Sequence, residues 1–170
     1  LESALAHICQ AVKDGPLNEL NVRQWVATPL AEVAPFFQDE HNLEKLTPDL
    51  LNFRVLDKST AQIEEGTLIN YRLKIRGVPA RWQTRIENWN PPHSFVDTQL
   101  KGPYDLWHHT HEFEPLGSGT LLTDRVLFRL PLGVLGEAAA GWMVRSDVRK
   151  IFAYRRKIAA EIFGGNKAGQ

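Results

Sequence analysis

Thr67-Leu68-Ile69-Asn70-Tyr71-Arg72-Leu73-Lys74-Ile75-Arg76 alternates without interruption. Ile69, Tyr71, Leu73 and Ile75 fall on one face, and Asn70, Arg72, Lys74 and Arg76 on the other. Period-two patterning of this kind specifies a strand with one face on a core and the other in water. Gly77-Val78 predicts a tight turn, and Pro79–Trp89 repeats the pattern with Trp82, Thr84 and Ile86 opposed to Arg81, Gln83, Arg85 and Glu87. Asn90-Pro91-Pro92 breaks the next connection, and Ser94–Leu100 reads as another strand. Gly102-Pro103 leads into a strand carrying Trp107, His109, His111 and Phe113 on one face. Gly117-Ser118-Gly119 turns into the last strand, Thr120–Leu130.

Outside this meander the period changes. Leu17–Ala27 reads as a first strand. Thr28-Pro29 then opens a helix with Thr as cap, bearing Leu30, Val33, Ala34 and Phe37, and a second short helix runs near 42–46. Phe53–Leu56 is a short strand. Leu135–Phe163 reads as one long helix with Trp142, Val148, Ile151, Phe152, Ile158 and Ile162 as its buried stripe and Gly164-Gly165 as its stop. Arg145, Arg149, Arg155, Arg156 and Lys157 are assigned to its wet side. Residues 1–17 form an N-terminal extension with helical periodicity over Leu1–Val12, residues 18–164 the domain, and residues 165–170 a disordered tail. The fold class is therefore α+β: a curved antiparallel sheet wrapped round a long C-terminal helix, with two short helices between the first two strands. A cavity is expected between the sheet's concave face and the helix.

Composition narrows the partner classes. The 170 residues carry 20 basic and 20 acidic side chains, so no electrostatic nucleic-acid or membrane partner is indicated. Arg72, Lys74, Arg76, Arg81 and Arg85 are assigned to a solvated outer face. No apolar run reaches the ~20 residues of a membrane span. Cys9 is the only cysteine, which excludes an internal disulfide and makes a cytoplasmic, reducing setting the expectation. Leu1–Ala6 lack the features of a secretory signal.

The order of elements and several phrases resemble the START-like superfamily (Bet v 1-like, helix-grip). Within it they are most similar to bacterial SRPBCC proteins of cyclase/dehydrase type. The phrases are Phe36-Phe37 through Asn42-Leu43-Glu44-Lys45-Leu46-Thr47-Pro48, Phe95-Val96-Asp97-Thr98-Gln99, and Gly102-Pro103-Tyr104 with Trp107, His109, His111 and Phe113. Gly119-Thr120 with Asp124, Pro131-Leu132-Gly133 and Ile151-Phe152-Ala153-Tyr154-Arg155 complete them. The resemblance covers about residues 18–164. It implies a cavity for an apolar or amphipathic small molecule and no obligatory cofactor. Some relatives look like fusions to a nucleotide-sugar-epimerase-like domain.

Three of the six histidines lie within four positions, at His108, His109 and His111. A register pairing Phe113 with Leu122 sets His111 opposite Asp124 and His109 opposite Val126, and direct cross-strand neighbours stand ~5 Å apart. Asp97, Gln99, His109, His111 and Asp124 are then expected in one polar patch beneath an aromatic wall of Trp82, Trp107, Phe113 and Phe128. Trp142 and Phe152 of the helix are expected to line or close the cavity. Four readings compete: a buried network in which Asp124 fixes His111, recognition of a ligand's polar end, acid–base catalysis by His111 and Asp124 with His109 nearby, and metal binding. Ligand recognition is taken as the function, with no metal or cofactor. A cyclase, dehydratase or hydrolase using the His–Asp pair, and a protein-interaction module with a filled cavity, are the alternatives.

Overall fold

The computed structural model describes residues 15–164; the expected N-terminal helix over residues 1–12 and the tail over residues 165–170 lie outside the described residues. Seven strands form one antiparallel sheet: β1 (Asn18–Val26), β2 (Arg54–Lys58), β3 (Leu68–Ile75), β4 (Val78–Asn90), β5 (Ser94–Lys101), β6 (Leu106–Leu116) and β7 (Gly119–Arg129). Their spatial order is β1-β7-β6-β5-β4-β3-β2, so β2–β7 make a sequential meander and β1 returns to the edge beside β7. Helix α1 (Leu30–Phe37) and two 3-10 turns, Glu40–Leu43 and Asp49–Leu51, connect β1 to β2, and α2 (Gly133–Phe163) closes the chain. This is the sheet wrapped round a long C-terminal helix that the alternation implied, and the helix-grip (Bet v 1-like) architecture that the resemblance implied. No helix among the described residues is long and apolar enough to cross a membrane.

Two apolar clusters lie between sheet and helices. One gathers Val26, Val33, Phe37, Ile69, Tyr71, Ile86, Phe95, Phe113 and Ala159. The other gathers Val126, Phe128, Leu130, Val148 and Phe152. The end of α2 is fastened to the start of the chain's fold: the Thr28 hydroxyl donates to the Phe163 carbonyl at 2.7 Å, and the Gln24 side chain donates to the Arg156 carbonyl at 2.8 Å. Thr28 is thus spent on α2, and α1 begins behind Pro29 with no side-chain cap.

Three local expectations change. The β3–β4 turn is Arg76-Gly77, both at positive φ, because Ile75 pairs with Val78 and leaves two turn residues. Arg76 therefore leaves the outer face and forms a two-pronged ion pair with Asp147 of α2, at 2.8 and 3.0 Å. The phase of α2 also differs. Its buried positions are Gly133, Gly141, Val148, Phe152, Arg155 and Ala159. Gly141, Val148 and Arg155 are seven residues apart and lie on one line, whereas Trp142 is turned about a third of a revolution away from Val148 and is 70% exposed.

Candidate functional site

Phe113 pairs with Leu122, His111 with Asp124 and His109 with Val126, while β5 brings Asp97 opposite His109. The side-chain contacts run diagonally across these pairs. His111 Nε2 lies 2.7 Å from Asp97 Oδ2, and His109 Nε2 lies 2.9 Å from Asp124 Oδ1. The remaining ring nitrogens complete a square: His109 Nδ1 is 3.2 Å from Asp97 Oδ2, and His111 Nδ1 is 3.3 Å from Asp124 Oδ1. The shortest partner of His111 is therefore Asp97 rather than the expected Asp124, because adjacent rings on one strand lean toward the carboxylates flanking them. Their centroids are 3.7 Å apart, and both residues are buried, at 4% and 3% exposure.

The fifth member comes from α2. Arg155, 9% exposed, places Nη2 3.3 Å from His111 Nδ1 and Nε 3.6 Å from Asp124 Oδ2. Its guanidinium lies over the Phe37 ring, 5.2 Å from the centroid. Sequence reasoning set Arg155 on the wet face because it is charged. Its spacing from Val148, Phe152 and Ala159 nevertheless follows the buried stripe, and that spacing was the available signal.

These contacts assign protons. His109 stands between two carboxylates, hydrogen-bonded to Asp124 and at ion-pair distance from Asp97, an arrangement that suits an imidazolium: burial opposes its charge, but Asp97 and Asp124 outweigh burial and raise its pKa. Burial and the neighbouring His109 charge lower the pKa of His111. His111 is neutral, donates from Nε2 to Asp97 and accepts at Nδ1 from Arg155. Burial would raise both carboxyls, yet Asp97 is held below its usual range by His109 and His111, and Asp124 by Arg155 and the same two histidines. Two carboxylates, one imidazolium and one guanidinium leave the buried cluster with no net charge.

The cluster forms one end of a cavity of about 430 Å³. Among the expected residues, Trp82, Asp97, Trp107, His109, His111 and Phe152 line it, joined by Phe37, Phe53, Tyr71 and Tyr104. Trp82, Trp107 and Tyr104 pack against one another with centroids 4.9–5.6 Å apart. Tyr71 faces the same space, and burial with Asp97 and Glu40 nearby pushes its phenol pKa well up. Exposed Leu50 and the Arg76–Asp147 pair belong to the lining, so the cavity reaches solvent between the second 3-10 turn, the β3–β4 hairpin and α2. The interaction-module alternative expected a cavity filled by side chains, whereas this one is open.

Four expected residues stand elsewhere. Gln99 donates to the Tyr104 carbonyl at 2.6 Å and accepts from the Tyr104 N–H at 3.3 Å, so it closes the turn before β6. Phe113 packs on Phe37 and Phe95 within the core. Phe128 backs Trp107 and Tyr104 from behind. Trp142 is on the outside of α2. Among the described residues, two groups present metal-ligating atoms within 4.8 Å of one another: Asp97, His109 and His111 inside, and Asp39, Glu40 and His41 at the start of the first 3-10 turn.

Compared with known proteins, residues 26–153 match the family described as polyketide cyclase / dehydrase and lipid transport. A START superfamily protein from Mycobacterium smegmatis is similar in structure, with 15% identity, coverage of 88% of this chain and 97% of that one, and a TM-score of 0.62. The Zhui aromatase/cyclase from Streptomyces sp. R1128 is similar at 14% identity, 88% and 98% coverage and a TM-score of 0.62. A nucleoside-diphosphate sugar epimerase from Corynebacterium glutamicum is 22% identical over 84% of this chain but only 28% of that one, with a TM-score of 0.61. No curated protein matches. At these identities the structural likeness speaks for the fold alone.

Proposed function

The chain belongs to the polyketide cyclase / dehydrase and lipid transport family, and from that premise we propose that it binds a hydrophobic or amphipathic small molecule between the sheet and α2. The observation that carries this reading is a single internal arrangement: an open, largely apolar cavity whose lining carries the Asp97–His109–His111–Arg155 cluster inside, with Arg76, Asp147 and Lys150 among its other polar residues. Its volume is within the ~300–1,000 Å³ that holds a small organic ligand. An apolar body packed on Trp82, Trp107 and Phe152 would gain ~25 cal/mol for each Å² withdrawn from water. Orientation would come from the polar end. Arg155 Nε is buried without a hydrogen-bond partner among the described residues, and it offers a donor that a ligand oxygen can accept from. Because the cluster's charges already cancel, an uncharged oxygen such as a carbonyl or hydroxyl enters without leaving a net buried charge.

The reading is tested with a neutral fluorescent apolar probe such as 1-aminoanthracene. Saturable one-to-one binding in the micromolar range is expected, and Val144→Trp, which narrows the cavity from α2, should weaken it at least tenfold while the domain stays folded. Absence of saturable binding by wild type would overturn it.

One observation favours a second reading, in which the cavity hosts cyclase- or dehydratase-type proton transfer. His111 is a neutral imidazole held by a carboxylate at 2.7 Å, and displacement of Arg155 from its Nδ1 would give it the free lone pair that a general base requires. A turnover found by screening and retained in a folded His111→Ala protein would exclude that role.

A further inference from the structure

We infer that Asp97, His109 and His111 form a facial binding site for one divalent transition-metal ion at the inner end of the cavity. The inference shares the cavity of the preceding reading, but it rests on the convergence of ring nitrogens and not on any organic ligand. His109 Nδ1 and His111 Nε2 come from opposite edges of their rings, yet both aim at one atom, Asp97 Oδ2, at 3.2 and 2.7 Å. An ion with metal–ligand bonds of ~2.0–2.2 Å in tetrahedral geometry needs its ligand atoms ~3.3 Å apart. The first distance already satisfies this. The second requires Asp97 to withdraw by roughly half an ångström, which a carboxylate does by rotating about its own side-chain bonds while the two strand-borne rings stay in place.

The opposite ring edges are arranged as ligating histidines require. A metal-bound imidazole donates its other N–H to an outer acceptor, which fixes tautomer and orientation. Asp124 Oδ1 supplies that acceptor to His109 Nε2 at 2.9 Å, and it stands 3.3 Å from His111 Nδ1, which on ligation of Nε2 would exchange its contact with Arg155 Nη2 for donation to Asp124. The Arg155 guanidinium, with Nε 3.6 Å from Asp124 Oδ2, keeps a positive charge beside that acceptor. With both imidazoles neutral and ligating, Asp97, Asp124 and Arg155 sum to one negative charge, so the pocket accommodates a cation. Two nitrogens and one carboxylate oxygen suit zinc, iron(II) or cobalt(II) rather than magnesium or calcium. The remaining coordination position faces the cavity, where an oxygen of a bound molecule or water would complete the shell.

The full chain, stripped with chelator and dialysed, is titrated with Co²⁺. One ion per chain is expected, with the visible absorption of a four- or five-coordinate site and a rise in Tm of the wild-type protein. Asp97→Asn should weaken binding at least tenfold, Asp124→Asn by ~10–100-fold, and His41→Ala should leave it unchanged. No Co²⁺ uptake at up to ~1 mM would overturn the assignment. So would absorption that survives in Asp97→Asn and vanishes in His41→Ala, which would move the ion to Asp39, Glu40 and His41. The wild-type Tm shift keeps the test decisive should a variant fail to fold. Probe binding without Co²⁺ uptake defeats the metal site alone; Co²⁺ uptake without probe binding defeats the cavity reading alone.

Discussion

Replacing Arg155 by methionine isolates the contribution of the buried guanidinium. Methionine keeps the length and the apolar stem of the side chain, so packing against Phe37 is largely retained while the charge is lost. At the 3.6 Å separation of Arg155 Nε from Asp124 Oδ2, two unit charges attract by roughly 4–5 kcal/mol at an effective dielectric of 20. Loss of the contact to His111 Nδ1 and of the cation–π contact adds to this. Relief of the guanidinium's own desolvation subtracts from it. Removing one partner of a buried pair typically costs ~3–5 kcal/mol, and the absence of a short hydrogen bond to Asp124 places this case near 3. With a urea m-value of ~2 kcal/mol/M, the midpoint should fall by ~1.5 M. Asp124→Asn in the Arg155→Met background should cost at least ~1 kcal/mol less than in wild type, because the two residues share one interaction. A midpoint for Arg155→Met within the ~0.5 kcal/mol typical of a surface arginine, or additive behaviour of the pair, would refute the buried-cluster account.

The protonation pattern is readable by NMR of the imidazoles: His109 should remain doubly protonated above pH ~6.5, the unperturbed value, and His111 neutral below it; the reverse order contradicts the assignment. In stability, the contribution of Asp97 and Asp124 is complete above the unfolded carboxyl pKa of ~3.9 and is lost as pH falls below it toward their depressed folded values. His111 adds a loss as pH falls below ~6.5, whereas the stabilisation from His109 is present below ~6.5 and lost as pH rises through its raised folded pKa. Urea midpoints of wild type should therefore drop steeply below pH ~4, and those of Asp97→Asn less so; equal slopes would count against the square. Trp142→Ala should leave probe affinity unchanged, while Trp107→Ala should weaken it at least fivefold by the same fluorescence titration; equal effects would mean that α2 is rotated. Gly119→Ala should lower stability by ~1–3 kcal/mol in urea, because a Cβ there meets the Val26 carbonyl and the Trp25 ring; a neutral substitution would contradict the β1–β7 edge.

Strand alternation made the architecture legible because one face of each meander strand is buried and a slip of one residue would expose it. The same constraint let the β6–β7 register be read from a glycine turn and placed His111 opposite Asp124. It could not say which carboxylate each ring prefers, since ring tilt depends on both neighbouring strands at once. Trp142 and Arg155 were exchanged because hydrophobicity was weighted above phase on α2. Gly141 occupies the buried line that a tryptophan was expected to fill, and an arginine occupies a position that a partnered charge alone tolerates. Gln99 has the strand face of a ligand donor, but Tyr104, five residues on in the turn after β5, takes both of its polar atoms. Such choices depend on particular side-chain contacts, local for Gln99 and distant in sequence for Arg155, which periodicity does not contain.

The central claim, that the cavity holds a small molecule, is tested most directly by native mass spectrometry of freshly purified protein. The account predicts a wild-type mass raised by one small molecule that denaturation releases, and a bare mass for folded Val144→Trp. A bare wild-type mass that also takes up none of the neutral apolar probe would contradict it.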